Sequence, residues 1–247
     1  MVLDAMPTNL PKGAALIFPH TRLSTSGHLI AAAARAVIES GCDTVLAIGV
    51  LHGGKRDDLS LRGIHGPDAP RDKGIWKDEF SLDNFSVLLA IAAELAGKPM
   101  PRLIARYPFL TGDDPNSLPG FEELHKLLDD GAALVATADL IHHGVGYGTP
   151  KAERLSRTDT ATFATVRYWI EEQFELLSFG DYAGLLAKAE AVRSDFRDGG
   201  PVAAALVAGH RDAVPSFSID DLTLVDYADV LQEADPTWVA AAILRYR

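Results

Sequence analysis

The chain has a single cysteine, Cys42, so no disulfide can form within it, which points to a reducing compartment. Cys42 follows a helix-stopping glycine and reads as structural rather than reactive. No apolar run approaches the roughly 20 residues of a membrane-crossing helix. The opening Met1-Val-Leu-Asp-Ala-Met-Pro7 lacks the basic-then-apolar order of a secretion signal. Basic residues are in the minority, 23 against 34 acidic ones, for a formal charge of −11. That balance argues against nucleic acid or an anionic membrane surface as the main partner. Phosphate-binding fingerprints are missing too: Gly53-Gly54-Lys55 and Gly144-Val-Gly-Tyr-Gly148 lack the spacing of a P-loop or a dinucleotide motif and read as active-site loops or plain turns. Ser24 and Ser26 lie near His20 without a nucleophile elbow around them. The expectation is a soluble, cytoplasmic protein of one domain over residues 1–247.

What is present is an alternation of strands and helices. After a lead-in broken by Pro7 and Pro11, Ala14 to Phe18 predicts a strand that Pro19 ends. Leu29, Ile30, Ala33, Val37 and Ile38 recur at helical spacing, with Ser26 as the expected cap and Gly41 as the stop. Thr44 to Val50 is β-branched and apolar, like a strand buried on both faces. A short strand near Leu59 to Gly63 and an irregular excursion through Trp76 follow. Helices are expected at Leu82 to Leu95 and Phe121 to Leu128, with a strand at Leu103 to Phe109 between them. Beyond Gly148, helices are expected from Thr158 or Asp159 to Leu177 (inner face Phe163, Val166, Ile170, Phe174, Leu177) and over Tyr182 to Val192. Phe196 to Pro201 reads as a turn, with Pro201 at the first position of a helix over Val202 to Ala208. Ser216 to Tyr227 and Trp238 to Tyr246 close the chain as strands. The fold class is α/β, with a central mostly parallel or mixed sheet flanked by helices.

Three strand-like runs end on histidine or an acid: Phe18-Pro-His20, Gly49-Val-Leu-His52 and Ala138-Asp139-Leu-Ile-His142-His143. Ligand sites in open α/β sheets gather outside the carboxyl ends of the strands. One such histidine alone is more readily a hydrogen-bonded loop residue; three ends on one sheet edge argue for a site. Imidazole with carboxylate suits non-haem iron, zinc or copper, or a general acid or base. On an extended backbone His142 and His143 point opposite ways, so only one of them faces the site. Arg22 and Arg197 read as surface charges that could also meet an anion.

These residues also carry a family resemblance. Pro19-His20 with Ser26-Gly27, Leu-Gly-Pro-Ser-His-like Ile48-Gly-Val-Leu-His52, Pro-Phe-Leu in Tyr107 to Leu110, and Thr137-Ala-Asp139-Leu-Ile-His142-His-Gly144 resemble, in order, segments of the MEMO family (the AmmeMemoRadiSam system protein B type). That family is similar in fold to class III extradiol dioxygenases. The resemblance implies one α/β domain with a non-haem iron(II), zinc or copper site in which His20 and His52 are metal ligands. It implies that Asp139 and His142 are the catalytic pair, with His142 moving protons. The family's late cysteine is absent. An ungapped match puts Arg197 in its place and a shift of one puts Asp198 there, and Asp198 would complete a two-histidine-one-carboxylate set. The family's His-Ser-x-Glu segment is also missing, with Pro101-Arg-Leu-Ile104 standing where it is expected. The function expected is a metal-dependent oxidoreductase of the extradiol type acting on a small molecule. The alternatives are a non-catalytic protein binding a ligand or peptide in the same pocket, and a metal-independent hydrolase or lyase. The sequence leaves a homo-oligomer open.

Overall fold

Strands made almost wholly of apolar residues must bury both faces, and the three central ones here do. In the strand Ala15–Phe18 (β1), Ala15 and Ile17 join one core cluster while Leu16 and Phe18 join the other. Thr44–Ile48 (β2) and Ala133–Thr137 (β5) divide the same way, with Leu46, Ile48, Leu134 and Ala136 on one side and Val45, Ala47 and Val135 on the other. The computed structural model describes residues 10–67, 74–77, 79–211 and 213–247. Most of the N-terminal lead-in, and residues 68–73 of the expected excursion, lie outside the described residues.

The helices Leu23–Ser40 (α1) and Asp83–Ala96 (α2) pack together on one face of the sheet. Phe121–Asp129 (α3), Thr160–Ser178 (α4), Tyr182–Val192 (α5) and Phe196–Gly209 (α6) cover the other. Ala228–Leu231 (α7) is a single turn between the last two strands. The sheet is mixed, with eight strands among the described residues, and its core is parallel: β1 pairs with β5, β5 with β2, and β2 with Arg102–Phe109 (β4). Gly63–His65 (β3) joins β4 antiparallel. Phe217–Asp226 (β7) and Thr237–Tyr246 (β8) form a long hairpin. With β7 along one side of β8, its other side is shared by β1, paired over residues 244–246, and by Ile141–Gly144 (β6), paired over residues 237–240. Thus β1 and β6 run in the same direction, end to end, with a gap between Phe18 and Ile141 beside Ala241, Ala242 and Ile243.

Several boundaries differ from expectation. Ser26 lies inside α1, with Arg22 at the N-cap position instead; its hydroxyl donates to the Arg22 carbonyl and meets Thr21 Oγ1. Leu59–Leu61 is a 3-10 turn, with the strand starting at Gly63. Phe163 faces solvent, while Val166, Ile170, Phe174 and Leu177 are buried as expected. The helix expected at Val202 starts six residues earlier, at Phe196, with Pro201 inside it. Its start is tightly seated: Phe196 and Asp198 are buried, and a side chain at Gly199 would press on Ile48 Cγ2 at 3.2 Å. Burial of this turn against the sheet outweighs the one helical hydrogen bond that Pro201 cannot donate. Among the described residues no helix is long and apolar enough to cross a membrane.

Candidate metal and proton-transfer site

The parallel strands deliver His20, His52 and Asp139 to one edge, as their order requires. His20 follows β1, and its backbone N–H donates to Asp139 Oδ1 at 3.2 Å. The Thr137 hydroxyl donates to the Phe18 carbonyl at 3.0 Å, so its lone pair is left to accept from His20 Nδ1 at 3.2 Å. That fixes the tautomer: Nδ1 carries the hydrogen, and Nε2 faces Asp195 Oδ2 at 3.2 Å and Asp139 Oδ2 at 3.8 Å.

His52 is held by a buried carboxylate. Glu79 Oε2 accepts from the backbone N–H of His52 at 2.9 Å and from its Nδ1 at 3.1 Å, while Glu79 Oε1 accepts from Ser81. Burial raises the Glu79 carboxyl, but the hydrogen bonds from His52 and Ser81 outweigh it and hold the group below its ordinary value. His52 Nε2 is therefore the free nitrogen. A carboxylate behind the far nitrogen of an imidazole is the usual support of a metal-ligating histidine. The rings of His20 and His52 meet edge to face at 5.3 Å, and Phe80 stacks on His52 at 4.8 Å.

The third member is Asp195, which caps the start of α6 without bonding to it. Oδ1 accepts from the Asp139 backbone N–H at 2.8 Å. Oδ2 is buried and faces His20 Nε2 at 3.2 Å, with no hydrogen bond of acceptable geometry among the described residues. Donor atoms of His20, His52 and Asp195 lie within 4.8 Å of one another, close enough to hold one metal ion. Two imidazoles and a carboxylate, each steadied from behind and one with an orphaned buried oxygen, fit non-haem iron(II) or zinc.

Asp139, His142 and Asp195 form an adjoining group, again within 4.8 Å. His142 Nδ1 meets the Arg193 carbonyl at 2.5 Å. His142 opens on a cavity of about 570 Å³ lined also by Tyr147, Glu190, Arg193 and Arg197. The two carboxylates are driven apart. Burial, reinforced by the Asp195 charge, pushes Asp139 above the ordinary carboxyl value. Burial also raises Asp195, but His20 more than offsets it and holds Asp195 low. Burial acts against the His20 imidazolium, yet Asp139 and Asp195 prevail and raise it to about 9. Burial, with Asp139 nearby, pushes Tyr147 up, and Tyr227 up to about 12. The site thus pairs a carboxylate held anionic, Asp195, with one that keeps its proton more readily, Asp139.

Of the residues singled out from sequence, His20, His52, Asp139 and His142 come together, and His143 points away, stacked on Trp238 at 4.5 Å. Asp198 stands apart and needs correction as the expected carboxylate ligand. It pairs with Arg56 at 2.6 Å, accepts from the Thr111 backbone N–H at 3.0 Å, and so pins α6 to the end of β4. Asp195 occupies the place expected of it, because α6 begins at Phe196. The signal was present: Ser194-Asp195 precedes a run with Phe196, Ala203 and Val207 on one helical face. Arg197 lines the cavity wall, and burial beside Arg56 weakens its hold on its proton. Glu79 had no sequence signal, since its role depends on a loop folding back beneath His52. No family model matches the chain, and no curated protein matches it significantly.

Proposed function

We propose that this chain is a non-haem metal-dependent oxidoreductase, with His20, His52 and Asp195 as the ligands. Within that class it is a divergent protein of the MEMO type with extradiol-dioxygenase-like chemistry on a small aromatic diol, in the cytoplasm. The observation that carries the reading is the convergence of His20 Nε2, His52 and the orphaned Asp195 Oδ2, with Thr137, Glu79 and the Asp139 N–H each fixing a ligand from behind. Iron(II) held there supplies a Lewis acid and redox centre with open positions. The chain's own residues do the rest. His142, oriented by the Arg193 carbonyl, accepts a proton from the substrate hydroxyl, and Asp139 returns one. Phe80 and Tyr147 supply apolar ring surface beside the two histidines. A second reading, ligand or peptide binding without catalysis, draws on Arg193 and Arg197 in the cavity wall, which suit a carboxylate.

His52→Ala is the informative variant, because His52 is exposed whereas His20 is buried in the core. Chain purified without chelator and reconstituted anaerobically with iron(II) is expected to retain iron that His52→Ala loses. With a catechol panel the loaded protein is expected to consume dioxygen and form a ring-opened product. No retained iron, or equal iron in His52→Ala, sinks the metal site; iron without dioxygen uptake leaves the binding reading.

A further inference from the structure

Helix α6 has Asp195 at its first end and His210 at its last, roughly 20 Å apart at 1.5 Å per residue. At the far end His210 caps the helix and meets the last turn of α3, where His125 and Asp129 stand four residues apart on one face. His210 Nε2 lies 3.0 Å from Asp129 Oδ1, and His125 Nδ1 lies 3.3 Å from Asp129 Oδ2. The two imidazoles are 4.4 Å apart and tilted by 31°.

The hydrogen positions are constrained. His210 Nδ1 is 2.7 Å from the Leu206 carbonyl, which can only accept, so Nδ1 carries a hydrogen. In the neutral ring, Nε2 is then a lone pair facing a carboxylate oxygen at hydrogen-bond distance, two acceptors with nothing between them. The contact requires a cation. A second proton on His210 would supply one, and His125 needs the same to donate to Asp129 as a full ion pair. Two imidazolium rings 4.4 Å apart would then share one carboxylate. A single divalent ion satisfies all three groups at once. Donors at about 2.0–2.2 Å from one ion sit roughly 3–3.5 Å from each other, which matches the 3.0 and 3.3 Å separations. The backbone carbonyl behind His210 is the usual outer support of a metal ligand. Both helices also direct their negative dipole ends here. Finally, Gly209 has no side chain where a Cβ would lie 2.8 Å from His125 Nε2, so the ring can lie against the end of α6.

We propose that His125, Asp129 and His210 form a divalent-cation site of the zinc class that ties the C-terminal ends of α3 and α6 together. The partly exposed Asp129 leaves further positions to water. The site shares no residue with the His20 centre.

Zinc binding measured by equilibrium dialysis, and the visible spectrum of cobalt(II) in its place, test this on the whole chain. The wild type is expected to bind one zinc more than His210→Ala, Asp129→Asn or His125→Gln, and zinc should raise its melting temperature by an increment the three variants lack. His52→Ala should keep that increment, which separates this site from the other. Circular dichroism checks that the three substitutions leave the fold intact, and Gly209→Ala should weaken the same zinc without removing a ligand. Equal zinc stoichiometry and an equal melting shift in the wild type and the three variants would overturn the proposal, leaving a proton-mediated tie between the helices.

Discussion

Adjacent histidines on β6 take opposite roles because a strand turns successive side chains to opposite faces. His142 faces the cavity. His143 is buried on Trp238, and its Nε2 accepts the Leu155 N–H at 2.9 Å, a bond that only the neutral ring can accept. Burial, with Arg193 adding to it, pushes His143 down to about 4. Unfolded, the same ring titrates near 6.5. The native state therefore binds fewer protons between those values, and stability is full above the unfolded value and falls as pH drops towards 4. The expected loss is ~2–3 kcal/mol across that window. Urea unfolding of wild type and His143→Gln at pH 7 and pH 4 checks it. The wild type should lose more stability than the variant on acidification, and parallel losses would refute the assignment.

At the scale of the element, β6 ends at Gly144, whose φ of 108° few residues with a side chain adopt. A Cβ there would also collide with the Pro236 carbonyl that accepts the Val145 N–H. Gly144→Ala is expected to cost at least ~2 kcal/mol, seen as a lower urea midpoint, and to disturb His142. A midpoint within error of wild type would contradict this. Elements defined by periodicity were legible in the sequence: β1, β2, β4 and β5, the helices α1 to α5, and the closing hairpin all lie close to where apolar patterning put them. The start of α6 was not, because proline at a first helical position is only a preference and burial of Phe196 against the sheet overrode it. Asp198 was singled out by its match to the family's cysteine position, whereas the carboxylate that the fold brings beside His20 and His52 is Asp195. The convergence of His20, His52 and Asp139 was legible because strand ends in a parallel sheet share an edge, and His142 joins them from β6, three residues beyond Asp139. Glu79 and Asp195 were not, because a loop's return path and a helix's first residue are set by tertiary packing.

On the scale of the whole molecule, the sheet supplies His20, His52 and Asp139 from rigid strand ends, while Asp195 comes from the joint between α5 and α6. In that joint Arg193 is exposed with φ at 55°; its N–H and that of Ser194 bond back to α5, and the ties to the sheet side include Asp195 to the Asp139 N–H, the Asp195 N–H to the Asp139 carbonyl, His142 to the Arg193 carbonyl, and Arg193 to the Gly148 carbonyl at 3.2 Å. An ion shared by Asp195 and the two histidines would fasten this joint to the sheet.

That placement makes the peptide bond after Arg193 a gauge of occupancy. Trypsin should nick the ion-free chain there, and iron(II) or zinc should slow the cut several-fold by holding the joint closed. Asp195→Ala should be cut at one rate with or without metal. A rate in the wild type indifferent to metal would mean that the joint does not carry the ligand. A protease and a gel could then follow filling of the centre before any substrate is known.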